Sequence, residues 1–485
     1  MQSFYFFASL YFAGMLFVFF YSLAQGHLLF HFLKALKKKN QASSTEIKTL
    51  PKVTVQLPIY NEQYVVERLI EAVAHLNYPR ELLEIQILDD STDQTVDLIQ
   101  NKLKQYPQLN FTYLHRVDRV GYKAGALREG LACAQGEFIA IFDADFLPDP
   151  QFLLKTLPYF SSSDIGMVQT RWTHLNRPYS MLTQLQAFAL DAHFFVEQLG
   201  RNHQGAFINF NGTAGIWRKS CILDAGNWQE DTLTEDLDLS YRAQRKGWKF
   251  VYRPEVESPA ELPPILSAVK SQQFRWNKGG AECAVKHIRQ VLREPHGWRV
   301  KLHALAHLFN STVFVAIFLS SLSSIGLTWL LREEHTYTYF PIIAGLSMLG
   351  FVMVAGVYMM AYLQTQGYSW TSFASVIWKL PLFLCVSMGL SLHNTQAVLE
   401  GLTGKKSPFI RTPKFNLEAN LVPLHRNVYR WRTLPVSTWM EGILSMVFGG
   451  MLIFGLIQGS YVFLPLHGIL CLGFGLVFLY SFQSR

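Results

Sequence analysis

Charge is the scarcest ingredient of this sequence: Asp, Glu, Lys and Arg supply 16% of its 485 residues while half are hydrophobic, against about a quarter charged in an ordinary soluble domain. The deficit is concentrated. Residues 1–33, 302–331, 335–378 and 442–484 contain no Asp, Glu, Lys or Arg, and each is long enough for at least one helix of the roughly 20 residues that cross a bilayer. Cysteine is sparse too. The five, Cys133, Cys221, Cys283, Cys385 and Cys471, are scattered, odd in number and never spaced CxxC, which argues against a disulfide framework or a zinc site and suits a reducing compartment. The net charge of +8 comes without a dense Lys/Arg stripe, so anionic membrane lipid, and no nucleic acid, is its expected partner. The first apolar run lacks the basic start and short apolar core of a cleavable leader and reads as an anchor.

Lys34, Lys37, Lys38 and Lys39 follow that anchor. The positive-inside tendency then places the N-terminus outside and the charged, mixed stretch 34–301 in the cytoplasm of a cell whose inner or plasma membrane holds the chain. Further spans are expected near 302–331, 340–363, 436–457 and 461–482, with the turn 332–334 outside and the C-terminus cytoplasmic. A full span at 370–396 would put the basic loop 405–432, with Lys405, Lys406, Arg411, Lys414, Arg426, Arg430 and Arg432, on the wrong side. Lys379 and Pro381 also interrupt that run. It is therefore read as a re-entrant or interfacial helix, giving about five transmembrane helices, and 261–300 as interfacial helices along the membrane surface.

From Val53 onward, short β-rich runs alternate with helical patterns, which predicts an α/β domain over 51–260 built on a parallel sheet, with a mixed second half after Asp164. A helix is expected near 179–199 and another beginning at Thr234. Open α/β sheets bind ligands at the carboxyl ends of their strands. Three predicted strands end in polar or acidic residues: LPIYNE, ILDDSTD and IFDADF. One such ending reads as a helix cap; three in one sheet point to a ligand.

Asp143 and Asp145 flank one residue at a strand end and so project to the same side, where both carboxylates can meet one hard divalent cation, magnesium or manganese. Asp89 and Asp90 offer acceptors for a base or ribose. Lys123, at a helix start after Gly121, suits a phosphate. Glu235 and Asp236 open a helix behind Thr234, which read alone is an N-cap with acidic first-turn residues. Gln272, Arg275 and Trp276 share one helical face: a guanidinium for a diphosphate and an indole for a sugar ring, or an interfacial Arg-Trp anchor.

The ordered set DDS, DAD, TED and QxxRW, flanked by apolar spans, resembles the processive family 2 glycosyltransferases of GT-A fold, among them cellulose, hyaluronan and mannan synthases. The strings QLPIYNE, GYKAGALREG, FNGTAGIWR and TEDLDLSYRAQRKGWKF look especially like the plant mannan and glucan synthase-like branch. The resemblance implies a Rossmann-like GT-A domain with an α-helical membrane domain, and nucleotide contacts from Tyr60, Glu62, Asp89, Asp90, Lys123 and Asp143. It implies metal ligation by Asp145 with Asp143, Asp236 as general base beside Glu235, diphosphate contacts from Gln272 and Arg275, and an acceptor platform at Trp276. Asn211 and Gly212 are expected to line the acceptor site. Phe409, Arg411, Thr412 and Lys414 resemble the gating-loop motif FxVTxK, with Arg411 where that family has valine. The implied reaction is inverting, metal-dependent transfer of a hexose from UDP-glucose or GDP-mannose to a growing β-linked polysaccharide. Transfer to a lipid acceptor uses the same donor chemistry, and a non-catalytic export subunit is the reading from another class; the complete acidic set and the absence of acidic residues from the apolar runs speak against the latter.

Overall fold

The computed structural model describes residues 2–38, 49–330, 340–416 and 434–483. Lys39, the turn 332–334 and the loop from 417 to 433, with Arg426, Arg430 and Arg432, lie outside the described residues.

Seven strands build one sheet: β1 (Val53–Ile59), β2 (Leu83–Asp89), β3 (Asn110–His115), β4 (Phe138–Ile141), β5 (Ile165–His174), β6 (Gly215–Arg218) and β7 (Lys249–Ala260), in the order β3-β2-β1-β4-β6-β5-β7. The first four pair in parallel, as do β5 and β7, whereas β6 runs antiparallel between β4 and β5. The parallel half and the mixed half expected from the alternation are both present. β2 is buried at every position and β1 at all but one, as strands covered by helices on both faces must be. One face carries Val53, Val55 and Leu57 against Val66, Leu69 and Ile70 of α2 (Val66–Ala74), with α3 (Thr95–Leu103) beside it. Under α4 (Tyr122–Cys133) the other face carries polar residues that satisfy one another, Thr54 Oγ1 donating to Glu84 at 2.6 Å and Gln56 Nε2 to Gln86 at 2.9 Å.

After α5 (Phe152–Thr156) and β5 comes a longer helix than expected. α6 (Met181–Asp191) passes through a π-helical turn, Ala192–Gln198, into α7 (Leu199–His203). α8 (Lys219–Asp224) follows β6, and α9 (Glu235–Arg245) begins after Thr234 as expected, but the Thr234 side chain makes no capping bond. Its hydroxyl meets Cys283 Sγ instead, at 3.4 Å.

α10 (Leu266–Arg293) and α11 (Trp298–Leu308) leave the sheet domain, and α12 (Thr312–Leu330), α13 (Phe340–Gln366), α14 (Trp370–Gly389), α15 (Ser391–Leu402), α16 (Val436–Gln458) and α17 (Leu464–Gln483) complete the chain. α1 (Gln2–Lys38) packs against α12 and α13. Among the described residues six helices are long and apolar enough to cross a membrane: α1, α12, α13, α14, α16 and α17. The sequence count was five, and α14 makes the difference. Lys379 and Pro381 do not break it, because the Lys379 ammonium donates to Tyr362 Oη of α13 at 2.9 Å. The run 302–331 is not one helix; α11 ends at Leu308 and α12 starts at Thr312. The contacts are local: His303 faces His27 of α1 at 2.9 Å and His307 meets Tyr241 of the sheet domain at 3.0 Å, so α11 is held between α1 and the sheet domain.

Glycines set the closest helix contacts. A Cβ on Gly473 would stand 2.2 Å from Cys385 O, and one on Gly389 equally close to Gly473 O, the small-residue packing that lets backbones touch inside a membrane. Gly473→Val forces α14 and α17 apart and is expected to cost about 1–3 kcal/mol, read as a lower melting temperature of the purified protein in detergent, whereas Gly468→Ala, with open space around the added carbon, leaves it unchanged.

Candidate active site

Because β1, β2 and β4 run parallel, their carboxyl ends meet at one edge, and one cleft of about 1210 Å³, counting its open mouth, lies there. Tyr60, Glu62, Asp90, Lys123, Asp143, Asp145, Asn211, Gly212, Glu235, Asp236, Gln272, Arg275, Trp276, Phe409, Arg411, Thr412 and Lys414 all line it. One expected residue does not. Asp89 is the last residue of β2, fully buried, and its carboxylate is consumed by Tyr113 Oη at 2.8 Å, His115 at 3.1 Å and Ser91 N at 2.8 Å. It braces the strand end; Asp90, one residue beyond the pleat, is the one that reaches the cleft.

At the β1–β2 end, Arg116 grips Asp90 with both arms, Nε at 2.7 Å and Nη2 at 2.6 Å, the strong two-pronged geometry of guanidinium and carboxylate. Arg119 lies over the Tyr60 ring, 3.4 Å from its centroid. Sequence reasoning missed both arginines. They sit in the stretch after β3, where no pattern marks them; only the return of β3 beside β2 brings Arg119 to the cleft and Arg116 onto Asp90.

At the β4 end, Lys123 donates to Asp143 at 2.5 Å and to Gly212 O at 2.8 Å. Burial would lower the Lys123 ammonium, but Asp143, Glu235 and Asp236 outweigh it and its pKa is raised. Gly212 has φ +79°, and a Cβ there would sit 3.1 Å from Asp236 Oδ2, so glycine answers both the backbone and the space. Asn211 Oδ1 faces Gln198 Nε2 and His193 Nε2, each at 3.4 Å, which leaves its Nδ2 buried without a partner among the described residues. Burial, then Glu235, push Asp236 up to about 7 against the pull of Lys123.

The far wall comes from α10 and the loop after α15. Burial lowers the Arg275 guanidinium while Glu235, Asp143, Asp236 and Asp145 raise it; it lies over the Phe409 ring at 4.6 Å. Phe409 stacks on Tyr122 at 5.7 Å. Lys414 donates to Asp145 Oδ2 at 2.7 Å, and Arg411 pairs with Glu62 at 2.9 Å. Burial pushes Glu62 up to about 7 although Arg411 and Lys414 oppose it. Glu261, also missed in the sequence, anchors the loop by accepting from Phe415 N at 3.1 Å and Asn416 N at 3.0 Å while holding Arg68 at 3.1 Å.

Among the described residues no group of three or more His, Cys, Asp or Glu converges as a metal cage. Asp145 nonetheless keeps one buried carboxylate oxygen, Oδ1, without a partner, and a carboxylate with a free oxygen beside a second carboxylate, Asp143, is a fitting start for a hard cation that takes its remaining ligands from phosphate and water.

Comparison with known proteins agrees with this arrangement. Residues 51–279 match the family described as "Glycosyltransferase like family 2". The chain is 41% identical over 268 residues to "Glucomannan 4-beta-mannosyltransferase 1" of Oryza sativa subsp. japonica, covering 53% of this chain and 51% of that protein. It is 35% identical over 368 residues to "Probable glucomannan 4-beta-mannosyltransferase 4" of the same plant, covering 74% and 64%. The chain thus spans between half and two thirds of the length of these relatives. Among solved structures, the mannosyltransferase PcManGT from Pyrobaculum calidifontis, in complex with GDP-Man and Mn2+, aligns with a TM-score of 0.53 at 17% identity, over 80% of this chain and all of that one; the likeness establishes the GT-A-like sheet fold. This chain therefore carries, in residues 51–279, a domain of the glycosyltransferase-like family 2, with helices on either side that are long and apolar enough to cross a membrane.

Proposed function

We propose that the chain is an inverting hexosyltransferase that moves a sugar, mannose before glucose, from a nucleoside diphosphate to the hydroxyl of a β-linked glycan at a membrane. The observation that carries this reading is the convergence of Asp90, Lys123, Asp143, Asp145, Asp236 and Arg275, far apart in sequence, on one cleft. The mannosyltransferase relatives favour mannose and a glycan acceptor over a lipid one.

The strand order supports a direction for the donor. Tyr60, Asp90 and Arg119 receive the base and ribose. Lys123 and Arg275 flank the diphosphate, and among the described residues no carboxylate is in ion-pair reach of Arg275, which leaves the guanidinium available for an anion. Asp143 and Asp145 would hold a divalent cation, which would neutralise charge on the leaving diphosphate. Asp236 accepts the proton of the acceptor hydroxyl as that oxygen attacks the anomeric carbon from the side opposite the departing diphosphate. Its upward displacement makes it a stronger base than an ordinary aspartate. Trp276 offers the acceptor sugar an apolar ring, and Phe409, stacked between Tyr122 and Arg275, lets the loop 405–416 cover the donor.

The membrane arrangement is part of the proposal. α14 and α15 together leave and regain the side on which the sheet domain lies: α14 starts close after α13, whose Tyr358 stacks on Phe188 of α6, and α15 leads into the loop inside the cleft. The pair dips into the membrane and returns, five helices cross, and the catalytic domain is cytoplasmic. In sealed vesicles, Tyr368→Cys and Lys405→Cys are then labelled from the same face as Cys133, and Ser460→Cys only from the other; labelling of 368 and 405 from opposite faces refutes the re-entrant pair.

Asp236→Asn is expected to lower sugar transfer by about 10²–10⁴-fold, measured as radiolabel incorporation from GDP-mannose and UDP-glucose in turn, while nucleotide binding persists; unchanged incorporation removes Asp236 from the mechanism. A base displaced to about 7 works only when unprotonated. The kcat/KM profile is therefore expected to fall as pH drops through neutrality, and an acid limb near pH 4 would contradict it. Gly212→Ala, strained at positive φ and crowding Asp236, is expected to reduce kcat more than it raises the donor KM.

A further inference from the structure

Two residues on the wall of the cleft have no place in the chemistry above. Trp172 and His174 lie two apart on β5 and so on one face of it, and both line the cleft. Trp172 Nε1 and His174 Nε2 are each buried, and among the described residues neither finds a hydrogen-bond partner. The His174 side chain is 1% exposed, and its nearest carboxylate oxygen, Asp191 Oδ1, is 3.8 Å away, beyond hydrogen-bond reach. A buried polar atom left unpaired is costly and in native proteins is rare enough to need a reason.

Neither side chain is loosely placed. The Trp172 ring is clasped between Phe146, edge-on at 5.2 Å, and Phe194 at 5.1 Å. Burial, then Arg177 and Arg171, push the His174 imidazole down to about 3, so it is neutral at any working pH. The charges nearby are already taken: Arg177 is bound to Asp191 at 2.5 Å and Arg171 to Glu257. What remains is a neutral corner with two hydrogen-bonding atoms and the apolar side chains of Leu190, Leu262 and Pro263. Hydroxyls above a carbon skeleton match it; a phosphate or a carboxylate does not.

The strand order says which sugar. Tyr60 and Asp90 stand at β1 and β2, the Asp143–Asp145 pair at β4, and β5 lies two strand steps past β4, at about 4.8 Å each. Trp172 and His174 are thus at the end of the cleft opposite the nucleotide, toward α6, which packs on α13. We propose that Trp172 and His174 form an acceptor subsite that hydrogen-bonds the hydroxyls of a neutral pyranose one unit behind the sugar being extended. This rests on the glycosyltransferase reading and names a contact it leaves open.

The test uses the full chain in detergent, with β-1,4-linked mannobiose and mannotriose as acceptors and GDP-mannose as donor. Trp172→Phe keeps the packing and loses the N–H; His174→Leu loses the ring nitrogens; His174→Gln keeps a polar nitrogen near the Nε2 position. The expected result is an acceptor KM about tenfold higher for Trp172→Phe and His174→Leu, with the preference for triose over biose lost. Donor KM and acceptor-free release of mannose stay within twofold, and His174→Gln recovers most of the loss. Unchanged acceptor KM, or a shift confined to donor KM, overturns the subsite. Calorimetric binding of mannotriose to wild type and to Trp172→Phe, with melting curves as the check on folding, reads the same contact without turnover. A wild type that binds mannotriose through Trp172 yet transfers no sugar would count against the proposed reaction and not against the subsite; equal binding by wild type and variant would count against the subsite.

Discussion

The structure depends on one electrostatic constraint: too many carboxylates share one small volume. Glu62, Asp143, Asp145, Glu235 and Asp236 line the same cleft as Asp90, and at Glu62 and Asp236 burial with a neighbouring carboxylate disfavours the charged form. Cations must be brought in from elsewhere. Lys123 and Arg275 come from helices; Arg411 and Lys414 come from a loop more than a hundred residues further along the chain. This loop is drawn in by charge as much as by packing, since its ammonium sits on Asp145 and its guanidinium on Glu62. Arg411 departs from the valine of the gating-loop motif, and the departure has a local partner: a buried Glu62 that valine would leave uncompensated.

The same constraint gives the loop its chemical meaning. The Lys414 ammonium takes Asp145 Oδ2 and leaves Oδ1 unpaired among the described residues, and Arg411 and Phe409 lie along the stretch proposed for the diphosphate. In the proposed reaction a donor with its cation would bring the positive and negative charges that these side chains now meet, which would tie donor binding to the position of the loop. Glu261 and Asn416 hold the loop at its base through backbone hydrogen bonds and do not take part in that exchange.

Much of this was legible from the residues because the rules involved are local. A strand that ends in acidic residues places them at the carboxyl edge, which is why LPIYNE, ILDDSTD and IFDADF located the cleft. Asp89 stands one residue short of the cleft: β2 continues through it, in pair with Ile59 and His115, and Asp90 is past the ladder. Arg116, Arg119, Trp172, His174 and Glu261 were not legible, because each becomes part of the site through a crossover or an antiparallel return that no local pattern encodes. Composition located the apolar helices but not their breaks. The run 302–331 looks uniform in charge, yet His303 meets α1, His307 meets the sheet domain, and α11 ends at Leu308. Lys379 and Pro381 look like interruptions, yet Tyr362 satisfies the ammonium and the helix continues.

α10 shows how chemistry and membrane are joined. Near its start Lys270, almost fully buried, pairs with Glu441 of α16 at 2.6 Å and donates to Ser481 of α17 at 3.1 Å; a buried pair of this kind is costly to break from either side. One turn on, Gln272, Arg275 and Trp276 face the cleft. Lys278 then reaches Glu400 and Ser407 at the root of the loop, at 3.1 and 2.7 Å. Gly279 lets the helix approach Thr234, just ahead of Asp236, so closely that a Cβ would stand 2.6 Å from its methyl. His287 closes the series on Asp238 at 2.8 Å. α10 thus touches, in turn, α16 and α17, the cleft, the root of the loop and the start of α9. Lys270 and Glu441 tie the helix that carries Gln272, Arg275 and Trp276 to α16.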